Sequence, residues 1–331
     1  MPRPLEQLLP LLRAPGGGPA LVRDRAGLVT ADGVTRFPLA GGVPVLIDEA
    51  RSLFRHADYL DAGAATPLAA GADGRRPAAA RWRDRLASGP LGLSSGQHDI
   101  KPGPVMAMVA GAFPTGRVLV VGAGDAALPA PPGLDVLYTD VSPGPLVDVI
   151  ADAHDLPLAH ASIHAVFAVS VLEHVLEPAR CVAEFVRVLV PGGIVYAVTP
   201  FLQSVHLGCY DFTRFTPLGH RMLFRQFDEV ASGLSGGAGT ALSWTLEGFA
   251  TALTRRRWPR AALGLAARIA GLVPRWLDRR TMRRAGGWYA AGAHIFVGTK
   301  RVMPLDARTL LAGYRGAGSP RPPATPERVA A

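Results

Sequence analysis

The sequence predicts an α/β protein in which a mostly parallel sheet carries helices on both faces, with a small β-rich unit at the N-terminus. Three observations predict it. From residue 117 onward, short apolar strands alternate with amphipathic helical patterns. The first of these strands, VLVVGAGD at 118–125, runs straight into a Gly-x-Gly turn. Residues 1–50 lack the alternation and read as short strands between turns.

Within residues 1–50 the expected strands are Ala20–Arg23, Gly27–Thr30, Thr35–Pro38 and Val43–Ile47. Asp32-Gly33 is the hairpin turn between the middle two, because both residues tolerate the positive φ of a tight turn. Residues 51–93 read as linker and helix, and the Ala/Gly/Pro-rich stretch 61–80 within them as a mobile linker. Residues 94–300 hold the main domain. Val118–Val121, Val136–Thr139, Val147–Ile150 and Ala165–Ser170 are its first strands. Pro178–Leu189 is a helix with Val182, Phe185, Val186 and Leu189 on one face, and Pro191-Gly192-Gly193 stops it before the strand Ile194–Val198. Thr216 and Pro217 supply an N-cap and an N1 proline for a helix that includes Arg221–Phe224. Residues 241–290 insert a helical cap, His294–Gly298 closes the sheet, and 301–331 form a C-terminal helix and a disordered tail.

Composition narrows the function classes. The 331 residues suffice for one large domain and a smaller one, and 49% hydrophobic residues can bury a core. Two cysteines, Cys181 and Cys209, exclude a disulfide scaffold and a Cys-rich zinc cage and suit a cytoplasmic location. The formal charge of +9 raises nucleic acid or an anionic membrane as partners. The basic residues are almost all Arg, without the interleaved aromatics of an RNA-binding strand, so no nucleic acid is expected. The N-terminus lacks the apolar run of a signal peptide, and residues 261–277, the nearest approach to a membrane span, are interrupted by Arg268 and Pro274.

A Gly-x-Gly turn after a strand is a nucleotide signal without a unique owner. A dinucleotide site needs a third glycine opening a helix, whereas this chain has Ala126 and then Pro129, Pro131 and Pro132. No Gly-Lys-Ser/Thr follows, so a P-loop is excluded. The ligand left is one with ribose and adenine but no phosphate for a helix end. Asp140 ends the second strand about 18 residues beyond Gly122, near the ~20 expected for an acid that grips ribose hydroxyls. Asp152 and Ala153 end the third, a side-chain acceptor beside a backbone donor that suits adenine.

The stretches VLVVGAGD (118–125), LYTDV (137–141), VIADAHDLPL (149–158), VFAVSVLEHVLEPARCVAEFVRVLVPGGIVYAVTPF (166–201) and YDFTRFTPLGHRMLF (210–224) resemble the class I S-adenosylmethionine-dependent methyltransferases of the type 11 group. The resemblance covers roughly residues 94–300 and implies a Rossmann-like fold with S-adenosyl-L-methionine as cofactor. It implies that Gly122, Ala123 and Gly124 pass under the methionine part, that Asp140 with Val141 takes the ribose, and that Asp152 with Ala153 takes adenine. Ser170, Val171 and Leu172 would floor the pocket, with His174 beside them. The chain departs from the family at Val120, Ala126 and His164, which leaves open a methyltransferase-fold scaffold without turnover. Residues 1–50 resemble the small zinc-ribbon-type activator of several methyltransferases, here fused in cis. The metal cysteines of that family match roughly Ala14, Gly17, Thr30 and Gly33, so this copy is expected to be metal-free.

In this fold the loop after the fifth strand, TPFLQSVHLGCYDFTRFTP, faces the reacting sulfonium. His206 is the candidate general base, and Tyr210, Asp211 and Arg214 the candidates that position an acceptor. The alternative for Asp211 and Arg214 is an i,i+3 ion pair that braces the turn. Gly96, Gln97 and His98 read either as a lid over the cofactor or as a surface loop. His154, His160 and His164 lack metal-ligand spacing and read as solvated loop residues, Cys181 as core, and no metal is assigned. Residues 241–290 read as a structural cap, with peripheral membrane contact through 255–290 as the alternative. Nothing resembling an amide-methylating loop follows the fourth strand. The expected reaction is therefore O-methylation of a small-molecule or glycan/lipid-linked acceptor.

Overall fold

The computed structural model describes residues 2–25, 27–60, 98–124 and 127–314. The expected linker at 61–80, Gly96 and Gln97 of the proposed lid, Ala126 and the tail from 316 lie outside these residues.

A nine-stranded sheet organises the chain. Its strands are β4 (Leu39–Ala40), β5 (Val43–Leu46), β6 (Arg117–Val121), β7 (Asp135–Asp140), β8 (Val149–Ala151), β9 (Ile163–Val169), β10 (Leu189–Pro200), β11 (Phe227–Ser235) and β12 (Ala293–Lys300). Their spatial order is β11-β12-β10-β9-β6-β7-β8-β5-β4. The strands from β10 to β5 pair in parallel, while β12 runs antiparallel between β10 and β11. The architecture is the expected Rossmann-like α/β fold. The chain leaves β6 in one direction through β7 and β8, then crosses back to lay β9 on β6's other side. That reversal opens a crevice at the carboxyl ends of β6 and β9, where open parallel sheets bind ligands.

The central strands are apolar throughout because both faces are covered. Val118 and Val120 pack with Val105, Met106 and Val109 of the helix Pro102–Ala112. Leu119 and Val121, which alternate with them, pack with Cys181, Val182, Phe185 and Val188 of the helix Pro178–Val188. Pro191-Gly192-Gly193 forms a bulge inside β10 rather than a helix stop: the helix ends at Val188, and Gly192 supplies the positive φ of +71°. No helix occurs among the described residues between β6 and β7, consistent with the prolines there.

The N-terminal residues form a three-stranded antiparallel sheet, β1 (Leu21–Arg23), β2 (Leu28–Thr30) and β3 (Arg36–Phe37). The strand expected at Val43–Ile47 belongs instead to the large sheet, where β5 pairs with β8. Leu5, Leu8, Leu12, Leu21, Leu28 and Phe37 share one apolar cluster with Leu119 and Phe185, so this unit has no core of its own. Of the positions matching the activator's cysteines, Thr30 bonds Asp32 and the Thr35 amide, and Gly17 abuts the Arg187 guanidinium.

The cap is three helices, Ala238–Ala252, Arg257–Ala270 and Leu272–Thr281, inserted between β11 and β12. The apolar stretch 261–277 is therefore two helices broken at Gly271, and no helix among the described residues is long and apolar enough to cross a membrane. The fully buried Asp278 accepts from the Gly239 and Thr240 amides at 2.7 Å, capping the first cap helix. Because β11 runs parallel to β10, the cap rises from the same sheet edge as the crevice.

Candidate active site

β6 ends in a turn that only glycine makes cheaply. Gly122 and Gly124 have φ of +68° and +54°. A Cβ at Gly122 would overlap Val171 Cγ2, whereas a Cβ at Gly124 would stand in open space. The Gly124 amide donates to Asp140 Oδ2 at 3.0 Å, and Ser142 donates to Oδ1 at 2.8 Å. The carboxylate at the end of β7 is thereby aimed back over the glycine turn. A cavity of about 320 Å³ lies in front of it. Gly122, Gly124, Asp140, Val141, Asp152, Ala153, Ser170, Val171 and His174 all border this cavity, while the side chains of Ala123 and Leu172 are buried behind it.

Asp152, at the end of β8, is buried and engaged on both oxygens. Ser52 Oγ donates to Oδ2 at 2.5 Å, and the His154 amide and ring meet Oδ1 at 3.0 and 2.5 Å. Burial alone would raise its pKa; the His154 ring and amide, with Ser52, together outweigh that and hold it below the usual carboxylate range. His154 also accepts from the Glu177 amide at 3.1 Å and is buried, so it is a structural bridge and not the solvated loop residue its sequence context predicts. His164 likewise accepts the Arg117 amide at 2.9 Å.

The cavity's cover comes from residues 51–60. Arg51, Leu53 and Phe54 line it, Phe54 stacks on Tyr210 with ring centroids 6.1 Å apart, and Tyr59 donates to the Val141 carbonyl at 2.8 Å. His98 of the expected lid instead bridges to Ser235 at the end of β11 and does not border the cavity.

The other end of the cavity follows β9. Ser170 holds the left-handed region with φ +54°, unusual for a residue with a side chain. Behind it Glu173 is fully buried, and neither carboxylate oxygen has a hydrogen-bond partner. Burial pushes its pKa up to about 7. Glu173 Oε1 faces His174 Nε2 at 3.7 Å and His206 Nε2 at 4.0 Å. His174 Nδ1 bonds the Tyr210 carbonyl at 2.7 Å, and burial lowers its pKa. The two imidazoles meet edge to face at 4.7 Å.

Of the four residues expected to handle the acceptor, Tyr210 borders the cavity directly and His206 reaches it through His174 and Leu207. Asp211 and Arg214 pair with each other, one contact being 2.7 Å. The same Asp211 carboxylate accepts the His206 amide at 2.9 Å and faces His206 Nδ1 at 3.4 Å. The ion pair is therefore present, and the carboxylate that makes it also holds His206. Burial works to raise the Asp211 pKa, but Arg214 and His206 overcome it and hold it at about 2.

Sequence reasoning passed over Glu173, Ser52, Phe54 and Tyr59. Glu173 sits in the motif SVLEHV, where an acid inside an otherwise apolar run was the available signal. Phe54 and Tyr59 are aromatics beside a stretch whose composition reads as linker, and nothing local announces their contacts.

The backbone cradle, the acid aimed over it and the cavity beyond fit a nucleoside whose sugar hydroxyls need a carboxylate and whose chain needs unobstructed glycines. Residues 120–197 match the family model of the methyltransferase domain. No curated protein matches the chain. Among solved structures it is similar to the Burkholderia thailandensis 1,6-didemethyltoxoflavin-N1-methyltransferase, at 14% identity over 72% of this chain and 92% of that one, with a TM-score of 0.38. It is similar to the Haloferax volcanii complex of the Trm112 methyltransferase activator with a protein described as a methyltransferase (19%, 70% and 96%, TM-score 0.40). It is also similar to the Haemonchus contortus phosphoethanolamine N-methyltransferase 2 (16%, 67% and 57%, TM-score 0.39). The crevice and the matched segment point the same way: residues 120–197 are similar to the methyltransferase domain family, and they contribute β7, β8, β9 and the ends of the strands that border the cavity.

Proposed function

We propose that the chain transfers the methyl group of S-adenosyl-L-methionine to a hydroxyl oxygen of a small-molecule or glycan/lipid-linked acceptor. The observation that carries this reading is the grouping of Glu173, His174 and His206 behind the acceptor end of the cavity. A hydroxyl must lose its proton as it is methylated, and this is where the chain concentrates groups able to receive or manage one.

The cofactor supplies an electrophilic methyl group on a sulfonium. The chain supplies the rest. Gly122, Ala123 and Gly124 keep side chains out of the approach, Asp140 accepts from paired hydroxyls, and Asp152 with the Ala153 amide reads the base. The turn Ser170–Leu172 floors the cavity. Phe54 and Tyr210 wall off water, which strengthens the electrostatics inside. Arg214 fixes Asp211, Asp211 orients His206, and the acceptor hydroxyl is held against that imidazole and its neighbours.

The cap supports the lipid-linked branch. Trp258, Leu265, Ile269, Val273 and Trp276 are exposed on it, among Arg residues at 255, 256, 257, 260, 279 and 280. Exposed apolar side chains among cations suit an anionic bilayer surface, and the cap that carries them follows β11 at the carboxyl edge of the sheet. Residues 1–50 act on this reading as a cis-fused activator-like unit, bracing the adenine end through the pairing of β5 with β8, and Ser52 just beyond the unit adds its bond to Asp152.

The test is to incubate the protein with cofactor carrying a labelled methyl group and panels of hydroxyl-bearing acceptors, with and without anionic vesicles. Label recovered as an O-methyl ether supports the proposal. Label recovered only on nitrogen or carbon overturns it.

A further inference from the structure

We propose that Glu173, His174 and His206 form a binding site for a divalent first-row transition metal ion. One ligand atom from each lies within 4.8 Å of the other two. Adjacent ligands around an ion with bonds of about 2.1 Å stand roughly 3.0–3.4 Å apart. The separations of 3.7 and 4.0 Å from Glu173 Oε1 to the two Nε2 atoms would therefore close with movements of roughly 0.5 Å.

Glu173 itself is the independent sign that something is bound. A fully buried carboxylate with no hydrogen bond on either oxygen is costly to keep, and both imidazoles stand beyond hydrogen-bond reach of it. A cation between the three groups would satisfy it.

Both histidines are also arranged as ligands usually are. His174 donates its Nδ1 proton to the Tyr210 carbonyl, leaving the Nε2 lone pair toward Glu173. His206 presents Nδ1 to Asp211 Oδ2 at 3.4 Å and to the Ser204 carbonyl at 3.3 Å, leaving its Nε2 on the same side. Such outer partners fix the tautomer and raise the basicity of a ligating imidazole. Two imidazoles and one carboxylate suit zinc, cobalt or iron, not calcium or magnesium, which take oxygen sets.

What the ion does deepens the proposed O-methylation and rests on it. With three protein ligands, positions remain open beside His174, which borders the cavity. An acceptor hydroxyl held there becomes more acidic. Its O–H bond breaks with the proton passing to solvent, and the new C–O bond forms as the methyl's bond to sulfur breaks. His206 then serves as ligand, not as a free base.

The experiment uses the untagged full chain, stripped with chelator and titrated with cobalt(II) alone, reading the visible absorption of a low-coordinate nitrogen/oxygen site. The expected result is a saturable band that His206→Ala removes and that Asp211→Asn weakens about 10- to 100-fold in affinity. Cys209→Ser, which removes the exposed thiol of the same loop, should leave the band intact. Absence of the band in wild type, its survival in both His206→Ala and Glu173→Gln, or its loss in Cys209→Ser would overturn the metal site. Melting of the same samples with S-adenosylhomocysteine separates the two readings: a ligand-induced shift without cobalt binding sinks the metal and leaves the methyltransferase site standing.

Discussion

The two ends of the cavity are built by opposite rules. At the β7–β8 end each carboxylate is satisfied: Asp140 by two backbone amides, Asp152 by Ser52 and His154. At the β9 end Glu173 is buried with nothing to bond. The first arrangement is preorganised, because its groups are already held where a ligand needs them and the fold gains from holding them. The second costs the fold stability, and such groups persist where chemistry requires them. Changes at the cofactor end are therefore expected to lower stability and ligand binding together. Changes at the acceptor end should separate stability from activity.

His206→Ala should have the largest effect and the cleanest split. Turnover is expected to fall about 10²- to 10⁴-fold, while S-adenosylhomocysteine still raises the melting temperature. A simultaneous loss of both would mean the two ends are not separable. Gly122→Val comes next. Its positive φ costs about 1–3 kcal/mol, and its side chain would overlap Val171. Cofactor binding should vanish, and adding Val171→Ala should recover part of the stability but not the strain.

Glu173→Gln sharpens the contrast through pH. Burial raises the Glu173 pKa from 4.5 to about 7. The unfolded chain therefore releases this proton first, and wild-type stability falls as pH climbs from 4.5 to 7. In chelator, the glutamine variant should match wild type below pH 4.5 and exceed it by up to about 3 kcal/mol above pH 7. Urea unfolding across that range checks it, and a pH-independent difference would contradict the buried, unpaired carboxylate. The smallest effect belongs to Arg187→Ala, remote from both ends. It strips donors from the Leu156 and Leu158 carbonyls and should cost about 1–3 kcal/mol with unchanged turnover per folded molecule.

The sheet was legible because its strands are apolar runs with punctuation. Val118–Val121 and Ala165–Ser170 could hardly be anything else. β11 was not, since FDEVASGLS has neither alternation nor a continuous apolar run and is specified by pairing with β12 across the inserted cap. That Gly122, Gly124, Asp140 and Asp152 would meet at one cavity was readable because they sit at fixed offsets after strands, where geometry is local. The acceptor end was half readable: His206, Asp211 and Arg214 are close in sequence, but their link to Glu173 is made by a crossover of about one βαβ unit. Arg51, Ser52 and Phe54 depended on β5 joining the large sheet, which no local pattern announces.

The central claim is that the crevice at the carboxyl ends of β6 and β7 holds the nucleoside of the methyl donor. Titrating wild type and Asp140→Ala with S-adenosylhomocysteine while recording melting tests it directly. Wild type should gain about 2.7 kcal/mol at a ligand concentration 100 times Kd, with a matching rise in Tm, and Asp140→Ala should show none. No shift in wild type at millimolar ligand, or an equal shift in the variant, would contradict the account.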